Sequence, residues 1–231
     1  MDKLKSSIAS FLYKAGLSAN AATGVGLFLA AAAGWLAYRG EFFWAGGFLL
    51  LSGLFDLLDG AIARASGKTG PFGGILDSCL DRYGDFFVLA GIVLFCSARR
   101  YDTQMLLALS ALMGSFEISY VRARAECAVA RCKVGFWERG ERIVYLSMGL
   151  LLNNLPLVLL VLGIGTHLTA LVRMGEARRQ AAGGSAEMPA GGWARNILVH
   201  SGPRTSRWYL AKTVVWFLLA VLVRRPFVPL G

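Results

Sequence analysis

The stretch LSGLFDLLDGAIARASGKTGPFGGILDSCLDRYGDFFVLAG, residues 51–91, decides how this chain folds. Two apolar runs meet at a short polar break around Ser66, Gly67 and Lys68, and each carries acidic residues on the side nearest that break. Asp56 and Asp59 are three apart and Asp77 and Asp81 are four apart, spacings that put each pair on one face of a helix. The short connection predicts two antiparallel neighbouring helices with all four carboxylates at similar depth near one end. Ionised side chains in apolar helices are costly, so their presence points to function rather than packing. Four carboxylates together repel one another, and divalent cations relieve the repulsion. Hard oxygen donors in that number suit Mg2+ or Mn2+.

Outward from this stretch the chain reads as an all-α integral membrane protein. It has 231 residues, 56% of them hydrophobic and only 16% charged, too little polar surface for a water-soluble domain. Six apolar runs, at about residues 22–38, 42–65, 72–97, 105–125, 137–152 and 156–173, predict a six-transmembrane-helix bundle. Asn153, Asn154 and Pro156 separate the last two, because proline breaks a helix interior. Residues 1–17 alternate polar and apolar positions. They are expected to form an N-terminal amphipathic interfacial helix, with Ile8, Phe11 and Leu12 down and Lys5 snorkelling, rather than a cleaved signal.

The net charge of +10 is placed by the positive-inside rule rather than by nucleic acid, which is not expected as a partner. Lys3, Lys5, Lys14, Arg64, Lys68, Arg122, Arg124, Arg131, Lys133, Arg139, Arg142, Arg173, Arg178 and Arg179 all fall on one side of six spans. The other side holds Arg39, Arg99 and Arg100. Both ends of the bundle and the acidic site are therefore expected to face the cytoplasm, from the inner or plasma membrane. The membrane domain is expected over residues 1–179, with a Gly- and Ala-rich flexible linker over 180–207. An apolar C-terminal segment over 208–231 reads as either interfacial or a seventh span, with Lys212 in its apolar part. Cys79, Cys96, Cys127 and Cys132 form no CxxC pair and suggest neither zinc nor disulfides.

Small residues surround the aspartates. Gly60 follows Asp59, Ala61 and Ala63 follow Gly60, and Gly73 and Gly74 open the third apolar run. Arg64, one turn beyond Gly60, has the chemistry to pair with a phosphate. The run Asp56-x2-Asp59-Gly60-x2-Ala63-Arg64-x8-Gly73-x3-Asp77-x3-Asp81 resembles the CDP-alcohol phosphotransferase signature at every one of its eight fixed positions. Leu17-Ser-Ala19-Asn20-Ala-Ala-Thr23 is similar to the LxPNxxT stretch that leads into the family's first helix, with Ala19 in place of proline. The resemblance covers residues 17–179.

That resemblance implies six transmembrane helices, usually a homodimer, and an active site at the cytoplasmic interface. It implies that Asp56, Asp59 and Asp77 hold metal, with two ions expected. Asp81 would be the catalytic base and would also touch the second metal. Gly60 and Arg64 would contact the CDP moiety, and Ala19, Asn20, Ala21 and Ala22 would close over it. Gly70 stands where inositol phosphate enzymes of the family often carry Ser or Thr, with Thr69 beside it, and both are assigned to the CDP-lipid. The expected reaction moves a phosphatidyl-type group from CDP-diacylglycerol to a polar alcohol and releases CMP.

The strings Asp77-Ser-Cys-Leu-Asp81-Arg82-Tyr83-Gly-Asp85 and Ser119-Tyr120-Val-Arg122-Ala-Arg124-Ala-Glu126 look like those of the phosphatidylinositol phosphate synthase branch. So do Glu138-Arg139-Gly-Glu141-Arg142 and Thr169-Ala170-Leu-Val-Arg173. They imply a phosphorylated alcohol, inositol phosphate, as acceptor, met by Arg122, Arg139, Arg142 and Arg173. Glycerol 3-phosphate is the alternative acceptor. Asp85 and Glu117 read as supporting hydrogen-bond partners rather than ligands. A cation transporter is the reading from a different class, since membrane carboxylates also line ion pathways. It explains neither the fixed spacing of Gly60, Arg64 and Gly73 nor the clustering of acids near one side.

Overall fold

A computed structural model describes Gly16 and residues 18–67, 70–129, 132 and 134–183. Among these residues there are no strands and six helices: α1 (Ala19–Arg39), α2 (Phe42–Ala65), α3 (Pro71–Ala98), α4 (Asp102–Ala128), α5 (Arg139–Leu151) and α6 (Leu155–Ala181). They fall into two compact units divided after Arg100. The expected interfacial helix at 1–17, nearly all of the linker and the C-terminal apolar segment lie outside the described residues.

In the first unit, the Ser18 side chain caps α1 by accepting from the Ala21 N–H at 3.2 Å. Gly40 ends the helix in the left-handed conformation at φ 82°, with the Gly40 and Glu41 N–H groups returning to the Ala37 and Leu36 carbonyls. The buried face of α1 is a stripe of small residues, Ala22, Gly26, Ala30, Ala33, Gly34 and Ala37. In an apolar solvent helices associate by close packing, which such residues permit. A Cβ on Gly91 of α3 would fall 2.0 Å from the Gly34 carbonyl oxygen, so here the two backbones touch. The same stripe meets α2, where the buried Ser52 hydroxyl donates to the Gly26 carbonyl at 2.8 Å.

The consequence differs from the expected side-by-side pair of acidic helices. α1 packs extensively against both α2 and α3, whereas the backbones of α2 and α3 approach each other far less. The small-residue stripe draws both neighbours onto α1, and the space left between α2 and α3 becomes a cleft.

In the second unit α4 and α6 pack extensively, with α5 against α6. Asn153, at φ 52°, supplies the left-handed residue that ends α5, and Asn154 N–H reaches back to the Gly149 carbonyl at 2.8 Å. Pro156 then stands in the first turn of α6, where no N–H is required. The expected turn between the last two runs is therefore present.

Among the described residues, α1, α2, α4 and α6 are long and apolar enough to cross a membrane. α3 has the length, 28 residues, but Asp77, Asp81, Arg82 and Asp85 interrupt its first half. α5 has 13 residues, about 20 Å of helix, short of a bilayer core.

Candidate active site

The cleft of the first unit, about 270 Å³, is lined by Ala19, Asn20 and Thr23 of α1, and by Asp59, Gly60, Ala63 and Arg64 of α2. Its remaining wall is Gly70 and, on α3, Gly73, Gly74 and Asp77. Its walls are the last turns of α2 and the first turns of α1 and α3. The opening of α3 is the positive end of its dipole, a favourable wall for an anion.

Asp56, Asp59 and Asp77 each bring a carboxylate oxygen within 4.8 Å of the others. Asp59 is buried, at 6% exposure, and the other two are partly buried. An octahedral Mg2+ or Mn2+ holds its oxygens at ~2.1 Å, hence about 3.0 Å apart when adjacent and about 4.2 Å when opposite. A slight contraction of the trio satisfies that geometry, and three hard anionic donors are the right chemistry for it. The trio and Arg64 together carry a formal charge of −2, which one divalent ion balances.

Asp81 lies outside this trio, on the next turn of α3, with the Arg82 guanidinium 3.7 Å from its carboxylate. The structure thus brings together three of the four expected ligands. Of the expected lipid-binding residues, Ala19, Asn20, Gly60, Arg64 and Gly70 line the cleft. Ala22 does not, being buried against Ala61 and Ile62, and Ala21 is also absent from the lining. Thr69 lies outside the described residues.

The glycines divide into two kinds. A Cβ on Gly70, Gly73 or Gly74 would meet nothing within 4 Å, in contrast to Gly34 and Gly91. Among the described residues no neighbour crowds these three positions, and their missing side chains leave the cleft wall open to a ligand. At Gly60 the added carbon would lie 3.5 Å from an Arg64 terminal nitrogen, so Arg64 folds back over the gap that Gly60 leaves.

Thr23 was quoted in the sequence motif without a role. Its hydroxyl lies 2.8 Å from Asp59 Oδ2 and is placed to donate to it. The only sequence signal was its place one turn after Asn20; the contact spans 36 residues and two helices.

The four arginines expected to meet the acceptor belong to the second unit. Arg122 pairs with Glu126 at 3.1 Å along α4. Arg139 opens α5, and buried Arg142 donates to the Trp137 carbonyl at 3.2 Å. Arg173 is 2% exposed; its Nε donates to the Val134 carbonyl at 2.9 Å and its Nη1 to the Ile118 carbonyl at 2.8 Å. It ties the segment before α5 to α4, a structural duty the sequence did not announce.

Residues 17–174 match the family described as CDP-alcohol phosphatidyltransferase. The chain belongs to the CDP-alcohol phosphatidyltransferase family. Relatives of this family include the archaetidylinositol phosphate synthase of Pyrococcus horikoshii, 35% identical over 174 residues, covering 75% of this chain and 90% of the relative. The phosphatidylinositol phosphate synthase of Mycobacteroides abscessus is 33% identical over 181 residues, covering 74% and 82%. Among solved structures, Mycobacterium tuberculosis phosphatidylinositol phosphate synthase with CDP-DAG bound superposes with a TM-score of 0.70 at 28% identity, covering 76% of this chain and 94% of the other. The same enzyme in complex with manganese and citrate gives 0.71. The chain is accordingly a phosphatidyltransferase of this family, and the Asp56, Asp59 and Asp77 cluster lies within the matched region.

Proposed function

We propose that this protein transfers the phosphatidyl group of CDP-diacylglycerol to a hydroxyl of inositol phosphate, releasing CMP. The observation that carries the reading is the carboxylate trio set in a glycine-walled cleft of a family member. The acceptor is supported by relatives named as inositol phosphate synthases with both phosphatidyl and archaetidyl lipids. The lipid donor is supported by the CDP-DAG in the M. tuberculosis relative.

Asp56, Asp59 and Asp77 would hold Mg2+ or Mn2+, with Asp81 available to a second ion. When bound, the ions would neutralise the diphosphate and polarise the phosphorus under attack. Ala19, Asn20, Gly60 and Gly70 line the nucleotide side, and Arg64 pairs with phosphate oxygen. Asp81, standing off the trio, keeps a carboxylate for general-base work. The acceptor hydroxyl oxygen bonds to the lipid-side phosphorus as its proton passes to Asp81. The phosphoanhydride bond breaks, and CMP leaves with the electron pair. Arg122, Arg139, Arg142 and Arg173 meet the acceptor phosphate.

In this reading α3 and α5 complete six spans in an integral membrane domain over residues 1–179, which works as a homodimer. The cleft opens to the cytoplasm. The test is product identification: the full chain with CDP-diacylglycerol and Mg2+ is given inositol 1-phosphate, inositol, glycerol 3-phosphate and serine separately. Mass spectrometry should find a new phospholipid with inositol phosphate. A product with glycerol 3-phosphate instead would overturn the acceptor, and uptake of cation into vesicles with no product would favour a transporter.

A further inference from the structure

Asp59 is the most buried of the three carboxylates, and it is held by a residue on another helix. The Thr23 hydroxyl has one proton and two acceptors in reach, the Ala19 carbonyl at 3.0 Å and Asp59 Oδ2 at 2.8 Å. The Ala19 carbonyl already accepts the helical N–H four residues on, so it loses little when the hydroxyl turns to the carboxylate. An aspartate rotates freely about its terminal bond unless something fixes it. Both Thr23 and Ala19 also line the cleft, so the α1 wall and the ligand on α2 are joined through one side chain.

We infer that Thr23 is a positioning residue: its hydroxyl fixes the Asp59 carboxylate in the orientation that binds the divalent ion and couples it to the α1 wall of the cleft. The inference rests on the proposed metal site. Removing a hydrogen bond to a ligating carboxylate typically weakens metal affinity ~10- to 100-fold. A valine at position 23 keeps the shape and removes the donor; a serine keeps the donor.

The experiment titrates Mn2+ into the purified full chain and reads free ion by electron paramagnetic resonance, with thermal unfolding of metal-free protein in parallel. Thr23→Val should weaken Mn2+ binding about tenfold, Thr23→Ser should stay within about twofold of the parent, and metal-free stability should be alike in all three. Equal Mn2+ affinity in Thr23→Val and the parent would overturn the inference while leaving the metal site intact. Failure of the parent itself to bind Mn2+ would overturn the site and the inference together. Should Thr23→Val not fold, Thr23→Ala compared with Thr23→Ser decides in the same way, since only the hydroxyl separates them.

Discussion

Gly73 and Gly91 lie on one helix, and alanine should have opposite effects at the two. At Gly91 the new carbon would stand 2.0 Å from the Gly34 carbonyl oxygen and 3.0 Å from its Cα. A comfortable carbon–oxygen contact needs about 3.3 Å, so α1 and α3 must part by roughly 1 Å. The obstacle is backbone and cannot turn aside, which places the cost near the top of the ~1–3 kcal/mol range for overpacking. For a chain of this size that corresponds to a fall in melting temperature of about 5 °C or more. At Gly73 nothing lies within 4 Å, and alanine is the better helix former by up to about 1 kcal/mol. Gly73→Ala should therefore melt no lower than the parent. Its methyl group enters the cleft wall, and if the diphosphate needs that space, the same ~1–3 kcal/mol appears in kcat/KM as a loss of about 5- to 150-fold. The assay pairs thermal unfolding in detergent with CMP release. A Gly73→Ala protein as active as the parent would refute the division of glycines into packing and ligand-facing kinds. So would a Gly91→Ala protein that melts where the parent does.

Asp59→Asn and Asp77→Asn should each abolish CMP release and weaken Mn2+ binding by at least tenfold, since each removes an anionic ligand; calorimetric titration checks this. Asp81→Asn should separate the two properties, with CMP release lost and the first Mn2+ still bound, because Asp81 lies outside the trio. Arg173→Gln should lower stability by about 3–6 kcal/mol, the value of two hydrogen bonds from a charged donor, whereas partly exposed Arg122→Gln should stay within about 1 kcal/mol; denaturant unfolding compares them. Burial pushes the Cys132 thiol above its usual range, so at pH 8 maleimide should modify exposed Cys127 promptly and leave Cys132 largely unlabelled. A higher pKa means less thiolate at that pH, and label should enter Cys132 only as the pH rises further or the protein unfolds.

The helices and the acidic motif were legible because their signals are local. Phe42–Ala65 has the bounds read from hydropathy, and the three- and four-residue spacings of the aspartates are helix periodicity. What sequence could not show depends on which helix touches which. A short connection between α2 and α3 suggested direct neighbours, yet the small stripe on α1 takes both. Asp77 reaches the trio across that gap and Asp81 does not, a difference of one turn that spacing alone does not reveal. Arg173 reads from the sequence as a positive-inside residue and an acceptor contact, and its packing role stays hidden because its acceptors are backbone carbonyls at Ile118 and Val134, which carry no sequence signature. The hydroxyl of Thr23 was in view from the beginning, but only folding brings Asp59 to it.

The central claim is that the carboxylate trio drives phosphatidyl transfer to inositol phosphate. Its most direct measurement is the rate of CMP release from CDP-diacylglycerol by the purified full chain, with and without inositol 1-phosphate, in Mg2+ and then in excess chelator. The account predicts release that needs both the acceptor and the ion and disappears in Asp59→Asn. CMP release that persists in chelator or in Asp59→Asn, or that ignores inositol phosphate while responding to another alcohol, would contradict it.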